Sequence, residues 1–269
     1  MLGTSDVLSI QHMLPFLWQK AISDKIHIYD VIESTNKTAK ELAMAGAEHG
    51  SVFFANGQTA GKGRNGRTFF SPSGHGIYMS VILHPAQLWF HAAGLSTIFA
   101  AVAVCEAIEA VSGKSPQIKW VNDILVSGKK ICGILSETVH CAGHLQWIVI
   151  GIGINFHTPM ASFPEELQGV ASSLFAGEDI SCTRNCLAAE LVNRIVTPKT
   201  QYSDKEIIAQ YKQRLILGKD VLVTGLGEDY EAVAVDIDER GHLIVQRNNG
   251  EMEALCAGEV RIVHTTHGR

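Results

Sequence analysis

The run Gly61-Lys62-Gly63-Arg64-Asn65-Gly66-Arg67 places three glycines among three cations within seven residues. Glycine lets backbone approach a ligand closely. Arg and Lys between glycines give a loop a dense positive charge suited to a polyanion, such as a nucleotide triphosphate or its leaving pyrophosphate. A G-x-G-x-x-G spacing is present at Gly61, Gly63 and Gly66, but Arg67-Thr68-Phe69-Phe70-Ser71-Pro72 follows, which opens no helix, so a dinucleotide fold is excluded. A Walker A loop is excluded as well. Asn56 stands where its first glycine belongs, and Gly63 where its Ser/Thr would reach magnesium.

Three further clusters carry candidate chemistry. Lys119-Trp120-Val121-Asn122-Asp123 precedes Lys129-Lys130-Ile131-Cys132-Gly133-Ile134-Leu135. Its carboxylate and amide oxygens suit Mg²⁺, and its ammonium groups suit phosphate. Gly151-Ile152-Gly153-Ile154-Asn155 puts glycines inside a β-run, where a ligand or another backbone can come close. Glu33-Ser34-Thr35-Asn36 offers hydroxyls and backbone N–H groups at a helix start. Taken singly, each also reads as an ordinary surface loop, turn, bulge or helix cap.

The elements that must position these residues follow from periodicity. Strands are expected at 25–32, 51–56, 77–83, 118–121, 124–126, 130–138 and 145–154. The strand at 51–56 feeds straight into the glycine-cation loop. A helix starts after Ser34 and stops near Gly46. An Ala-rich helix at 95–111 is apolar on most faces and should be the central buried one. Two more helices are expected near 185–197 and 204–216. After Leu217 come short strands at 220–224, 230–237, 242–247, 251–256 and 259–264, separated by turn signals such as Asn248-Asn249-Gly250. The division is therefore a prefix at 1–22, read as a loose arm or a dimer-packing segment; a large domain at 23–217; and a small β-barrel at 218–269.

Composition bounds the function. The 269 residues are 46% hydrophobic and 18% charged, enough for a sizeable core and against disorder. The net charge of −5 argues against a general nucleic-acid binder and makes the basic loop a local island. The six cysteines form no C-x-x-C pair and read as reduced, mostly buried thiols of a cytoplasmic protein. The twelve histidines lack ligand spacing and read as surface residues. No apolar run is long enough to span a membrane.

In order and spacing, the segments Ser34-Thr35-Asn36, Gln58 to Arg67, Lys119 to Asp123, Lys130 to Leu135 and Gly151 to Asn155 resemble the biotin–protein ligase family. The similarity runs from about residue 25 to 265, and Gly258-Glu259-Val260 is similar to the family's closing barrel strand. The resemblance implies an α+β fold, a class II aminoacyl-tRNA synthetase-like mixed sheet with flanking helices followed by an SH3-like barrel. It implies ATP and Mg²⁺, with biotin activated as biotinyl-5′-AMP and then passed to a lysine of a biotin carboxyl carrier domain. Lys130, Arg64 and Lys119 would be catalytic. Biotin would be held by Ser34, Thr35, Asn36, Gln58, Gly61, Lys62, Gly63, Arg64, Lys130, Gly151 and Gly153. ATP would meet Arg64, Arg67, Phe69, Lys119, Asn122 and Asn155, and Asn122 with Asp123 would hold the magnesium. Phe69 stands where the family often has Trp. Lys62 stands where Arg is common, and Asn65 replaces a further cation. Both departures imply a loop that holds its intermediate less rigidly.

The resemblance is to the single-function type, because the Ser34 motif begins too early for an N-terminal DNA-binding module. It leaves pairing of two chains through sheet edges open. The competing readings are a lipoate/octanoate–protein ligase of the same fold and a biotin-binding regulator without catalysis. The Arg-Arg-x-x-Gly-Gly loop of the former is missing from the sequence.

Overall fold

A computed structural model of the chain describes residues 6–88, 93–177, 180–225 and 227–263. The helices are α1 (Ile10–Met13), α2 (Thr35–Met44), α3 (Ser96–Ser112), α4 (Arg184–Ile195) and α5 (Asp204–Arg214). The large sheet comprises β1 (Ile26–Ile32), β2 (Val52–Gln58), β3 (Gly76–Leu83), β4 (Gln117–Lys119), β5 (Asp123–Val126), β6 (Lys129–Cys141) and β7 (His144–Asn155). Its order is β1-β2-β3-β7-β6-β5-β4. The β1–β2 pair is parallel and the other pairs are antiparallel.

Burial explains this arrangement. Every residue of β3 is buried, as a strand near the middle of a two-sided sheet requires. On one face lies α3, whose alanines and β-branched residues are buried nearly all round, as its apolar sequence predicts. It ends at Gly113, whose φ of 67° suits a residue without Cβ. On the other face Ala39 and Ala43 of α2 pack on Phe53, Ile82 and Val149. This cover reaches Val139 in the far half of β6 but stops short of β5 and the first half of β6, leaving that part of the sheet open for a site.

A second, five-stranded antiparallel sheet follows: β8 (Lys219–Thr224), β9 (Tyr230–Ile237), β10 (Leu243–Arg247), β11 (Met252–Leu255) and β12 (Glu259–Ile262). The expected last strand reached to position 264, which lies outside the described residues. The indole of Trp120 donates to the Gly241 carbonyl at 3.0 Å, joining the two sheets beside the open face.

Two expectations need correction. Residues 6–22 are no loose arm. Leu8, Met13, Leu17 and Ile22 are buried in the main core. Arg184, 2% exposed, ion-pairs with Asp6 and donates to the Gly76 carbonyl. The amides of Asn185 and Asn193 bond the backbone of Val7, Ser9, Phe16 and Trp18. The cysteines are also not mostly buried: Cys105 and Cys132 are, Cys182 and Cys186 are half-buried, and Cys141 and Cys256 are exposed. No described histidine is buried. Among the described residues, no group of His, Cys, Asp and Glu forms a metal cluster, and no helix is long and apolar enough to cross a membrane.

Candidate functional site

The open part of the sheet forms the floor of a cleft of about 720 Å³, roofed by the glycine-cation loop and closed at one end by β12. The four clusters meet there. Ser34, Thr35, Asn36, Gln58, Lys62, Gly63, Arg64, Arg67, Phe69, Lys119, Asn122, Asp123, Lys130, Gly151, Gly153 and Asn155 all line it. Of the expected site residues only Gly61 does not. It sits behind the wall, where a Cβ would stand 2.5 Å from the Phe69 carbonyl and 2.6 Å from the Ser71 hydroxyl.

Asp123 organises the cationic end. Its Oδ1 lies 2.6 Å from Lys130 Nζ and its Oδ2 3.1 Å from Lys119 Nζ. Burial alone would raise its carboxyl; the Lys130 and Lys119 charges, with the hydrogen bonds they donate, outweigh this and hold it below the ordinary carboxylate range. The backbone fixes Lys130 as well, through its N–H to the Val170 carbonyl at 3.0 Å and its carbonyl to the Ser172 N–H at 2.8 Å. Arg64 donates to Asn122 Oδ1 and to the Gly258 carbonyl, both at 3.3 Å.

The expected magnesium pair does not fit this arrangement. Both Asp123 oxygens are taken by ammonium groups, and the Asn122 amide is spent on Arg64 and the Ile134 carbonyl. A divalent cation wants oxygen ligands free of competing positive charge. These residues instead present cations to an anion.

The other end is walled by uncharged polar side chains, with the exposed Lys62 of the loop beside them. Ser34 occupies the N-cap position of α2, yet its side chain makes no cap bond. The Thr35 N–H donates to Gln58 Oε1 at 2.8 Å, Gln58 Nε2 donates to Ser71 Oγ at 2.9 Å, and Ser71 donates to the Phe69 carbonyl. Between the two ends lies Phe69. A Cβ on Gly153 would fall 2.5 Å from its ring and one on Gly133 3.3 Å, so both glycines seat the ring. Gly151 has a different reason to be glycine, since a Cβ there would lie 2.0 Å from Asn36 Oδ1. Asn155 is 4% exposed and its Oδ1 has no partner, while its Nδ2 donates to the Ser172 carbonyl.

Sequence reasoning missed one wall and one clasp. Phe163, Glu166, Leu167, Val170 and Ala171 line the cleft from an irregular segment without periodicity. Glu259 of β12 accepts from Asn65 at 2.9 Å and from Arg67 at 2.7 Å, tying the loop to the second sheet. The Gly258-Glu259-Val260 segment was readable as a strand, but nothing in it signals this partner.

Comparison with known proteins decides the family. Residues 28–155 match the profile of the biotin/lipoate A/B protein ligase family, and residues 216–262 match the biotin protein ligase C-terminal domain. The bifunctional ligase/repressor of Bacillus subtilis (strain 168) is 35% identical over 231 residues, which are 82% of this chain and 69% of the relative. The chain belongs to the biotin protein ligase family. Another member, the biotin–[acetyl-CoA-carboxylase] ligase of Mycobacterium tuberculosis (strain ATCC 25618 / H37Rv), is 30% identical over 242 residues, covering 86% of this chain and 87% of that one. Among solved structures, the biotin protein ligase of Aquifex aeolicus in complex with biotin and ATP aligns with a TM-score of 0.75 at 26% identity, covering 89% of this chain and 99% of that one. The mixed sheet with its small C-terminal sheet is thus the fold of this biotin protein ligase family.

Proposed function

We propose that this chain is an ATP-dependent ligase that activates biotin as biotinyl-5′-AMP and transfers it to a lysine of a biotin carboxyl carrier domain of a carboxylase. The observation that carries the reading is the cleft's polarity: Lys119, Lys130 and Arg64 converge at one end, and a neutral hydrogen-bonding pocket lies at the other. A carboxylate and a triphosphate repel each other, so joining them needs convergent, immobile cations. The Asp123 carboxylate holds Lys119 and Lys130 in place before any ligand arrives. Lys130 neutralises the biotin carboxylate and the α-phosphate as they approach. Arg64 and Arg67 meet the phosphates, and the loop that bears them screens the mixed anhydride from water. The orphaned Asn155 Oδ1 is an acceptor for an amino group of the nucleotide base. AMP then leaves as the acceptor amine attacks the acyl carbon.

The neutral end favours biotin over octanoate and over lipoate, the other acid that the family description names. Thr35, Gln58 and Ser34 offer donors and acceptors that a ureido ring can use and a plain alkyl chain cannot. Residues 23–217 are the catalytic unit in this reading, and 218–269 supply the clasp on the loop. The place of action is the cytoplasm. The test is Lys130→Ala, which should abolish biotin-dependent ATP–pyrophosphate exchange while the circular dichroism spectrum stays unchanged. Near-normal exchange by the purified variant would remove Lys130 from the reaction.

A further inference from the structure

Behind the neutral end of the cleft, Thr35 connects to a chain of side chains formed by Ser80, Asn36, Glu137 and Lys40. Lys40 Nζ lies 2.6 Å from Glu137 Oε1, and Glu137 Oε2 accepts from Asn36 Nδ2 at 2.8 Å. Asn36 Oδ1 is 2.6 Å from Ser80 Oγ, which is 2.8 Å from Thr35 Oγ1. Ser80 is fully buried, so water does not intervene.

Donor counting fixes the direction of every bond in this chain. A carboxylate only accepts, and so does the Leu135 carbonyl, 3.3 Å from Asn36 Nδ2. Both therefore demand the NH₂ side of Asn36, and its carbonyl must face Ser80. Ser80 has one proton and must give it to Asn36 Oδ1. Two oxygens cannot stand 2.8 Å apart without a proton between them, so the Thr35 hydroxyl must donate to Ser80. Thr35 Oγ1 then has no proton for Gln58 Oε1, 3.2 Å away, and the two oxygens stand as neighbouring acceptors on the cleft wall. Gln58 complements Thr35: its Oε1 takes the Thr35 N–H, one Nε2 proton goes to Ser71, and the second is left for a ligand.

We propose that Glu137 is a positioning residue that sets the hydrogen-bond direction along Asn36, Ser80 and Thr35, and so makes the neutral end selective for a ligand carrying an N–H beside a C=O. The inference rests on the reading of this cleft as a biotin site. Glu137 is lined up for the task because Lys40 claims its other oxygen and leaves it no freedom to turn. In Glu137→Gln, Lys40, a pure donor, draws the amide oxygen to itself and turns the new NH₂ toward Asn36. Two NH₂ groups then face each other. Asn36 must flip or lose the bond, Ser80 no longer receives a fixed carbonyl, and Thr35 is released from its acceptor role.

The experiment is calorimetric titration of biotin and of octanoate into wild type, Glu137→Gln, Lys40→Ala and the Lys40→Ala/Glu137→Gln double variant, with exchange kinetics alongside. Glu137→Gln should weaken biotin about tenfold or more, the scale of one misdirected buried hydrogen bond. Octanoate affinity and kcat at saturating biotin should stay within about twofold, since neither depends on that bond. The double variant should regain most of the loss, because without Lys40 the Gln oxygen is free to face Asn36. Ser80→Ala, which deletes the relay at its middle, should show the same biotin-selective loss and serves if Glu137→Gln misfolds. Unchanged biotin affinity in Glu137→Gln, an equal loss for both acids, or no recovery in the double variant would overturn the proposal. Failure of the wild type to bind biotin would instead remove the reading of the site itself.

Discussion

Asp123→Asn is the most informative perturbation of the cationic end. The substitution keeps shape and removes one charge from a carboxylate whose side chain is 14% exposed and shared by two lysines. Removing one partner of a fully buried ion pair costs about 3–5 kcal/mol. Here the lysines are 27% and 33% exposed, so water recovers part of the loss, and about 2 kcal/mol is the appropriate scale. For a chain of this size that corresponds to a melting temperature lowered by about 4–8 °C. Acid dependence should change in step. The folded-state pKa of Asp123 lies below its ordinary 3.8, so its contribution is complete above that value and fades as pH falls through the folded value. The variant should lack that part of the acid-side loss. Catalysis should fall further than stability, because Lys130 and Lys119 lose the group that holds them; a misplacement of about 1 Å costs about a hundredfold. Thermal melts from neutral to acidic pH and biotin-dependent pyrophosphate exchange, on the same protein, check both. An unchanged melting temperature would refute the ion-pair reasoning. A lowered melting temperature with full exchange would show the cluster to be a brace with no part in catalysis.

Other outcomes follow from the same geometry. Gly151→Ala should destabilise the fold by about 1–3 kcal/mol, since its Cβ would lie 2.0 Å from Asn36 Oδ1, and a second substitution Asn36→Ala should relieve part of that clash, as denaturant titrations will show. Arg64→Gly removes the bonds to Asn122 and the Gly258 carbonyl, so the loop should release biotinyl-AMP faster, read as biotin on unrelated proteins in the assay mix; no increase would deny the loop a closing role. Arg184→Ala should cost about 2–5 kcal/mol and expose residues 6–22 to proteolysis, because it empties a nearly fully buried site and takes the donor from the Asp6 and Gly76 carbonyls.

Much of this was legible in the chain. The expected 95–111 helix is Ser96–Ser112, because an Ala-rich run with apolar residues on most faces can only be a buried helix. The expected strands at 124–126 and 130–138 leave room only for a tight turn between them, and there Ser127 and Gly128 take positive φ, 50° and 74°. Conversely, the β6–β7 hairpin runs to Cys141 and restarts at His144, longer than the apolar pattern, because its tip is exposed and pairing there rests on backbone bonds and the Ala142-Gly143 turn. The motif residues converge as their types suggested. Their supports did not show: Glu137, Ser80 and Glu259 are ordinary strand residues whose partners lie 44 to 194 positions away. The prefix was opaque for the same reason. Its anchor, Arg184, lies 178 residues further along the chain.

The central claim is that the convergent cations activate the carboxylate of biotin with ATP. Isotope exchange between ATP and pyrophosphate measures that step alone, without a carrier protein. With biotin, lipoate and octanoate compared side by side, the account predicts robust exchange with biotin and little with the other two. Exchange driven equally by octanoate, or none with biotin, would contradict it.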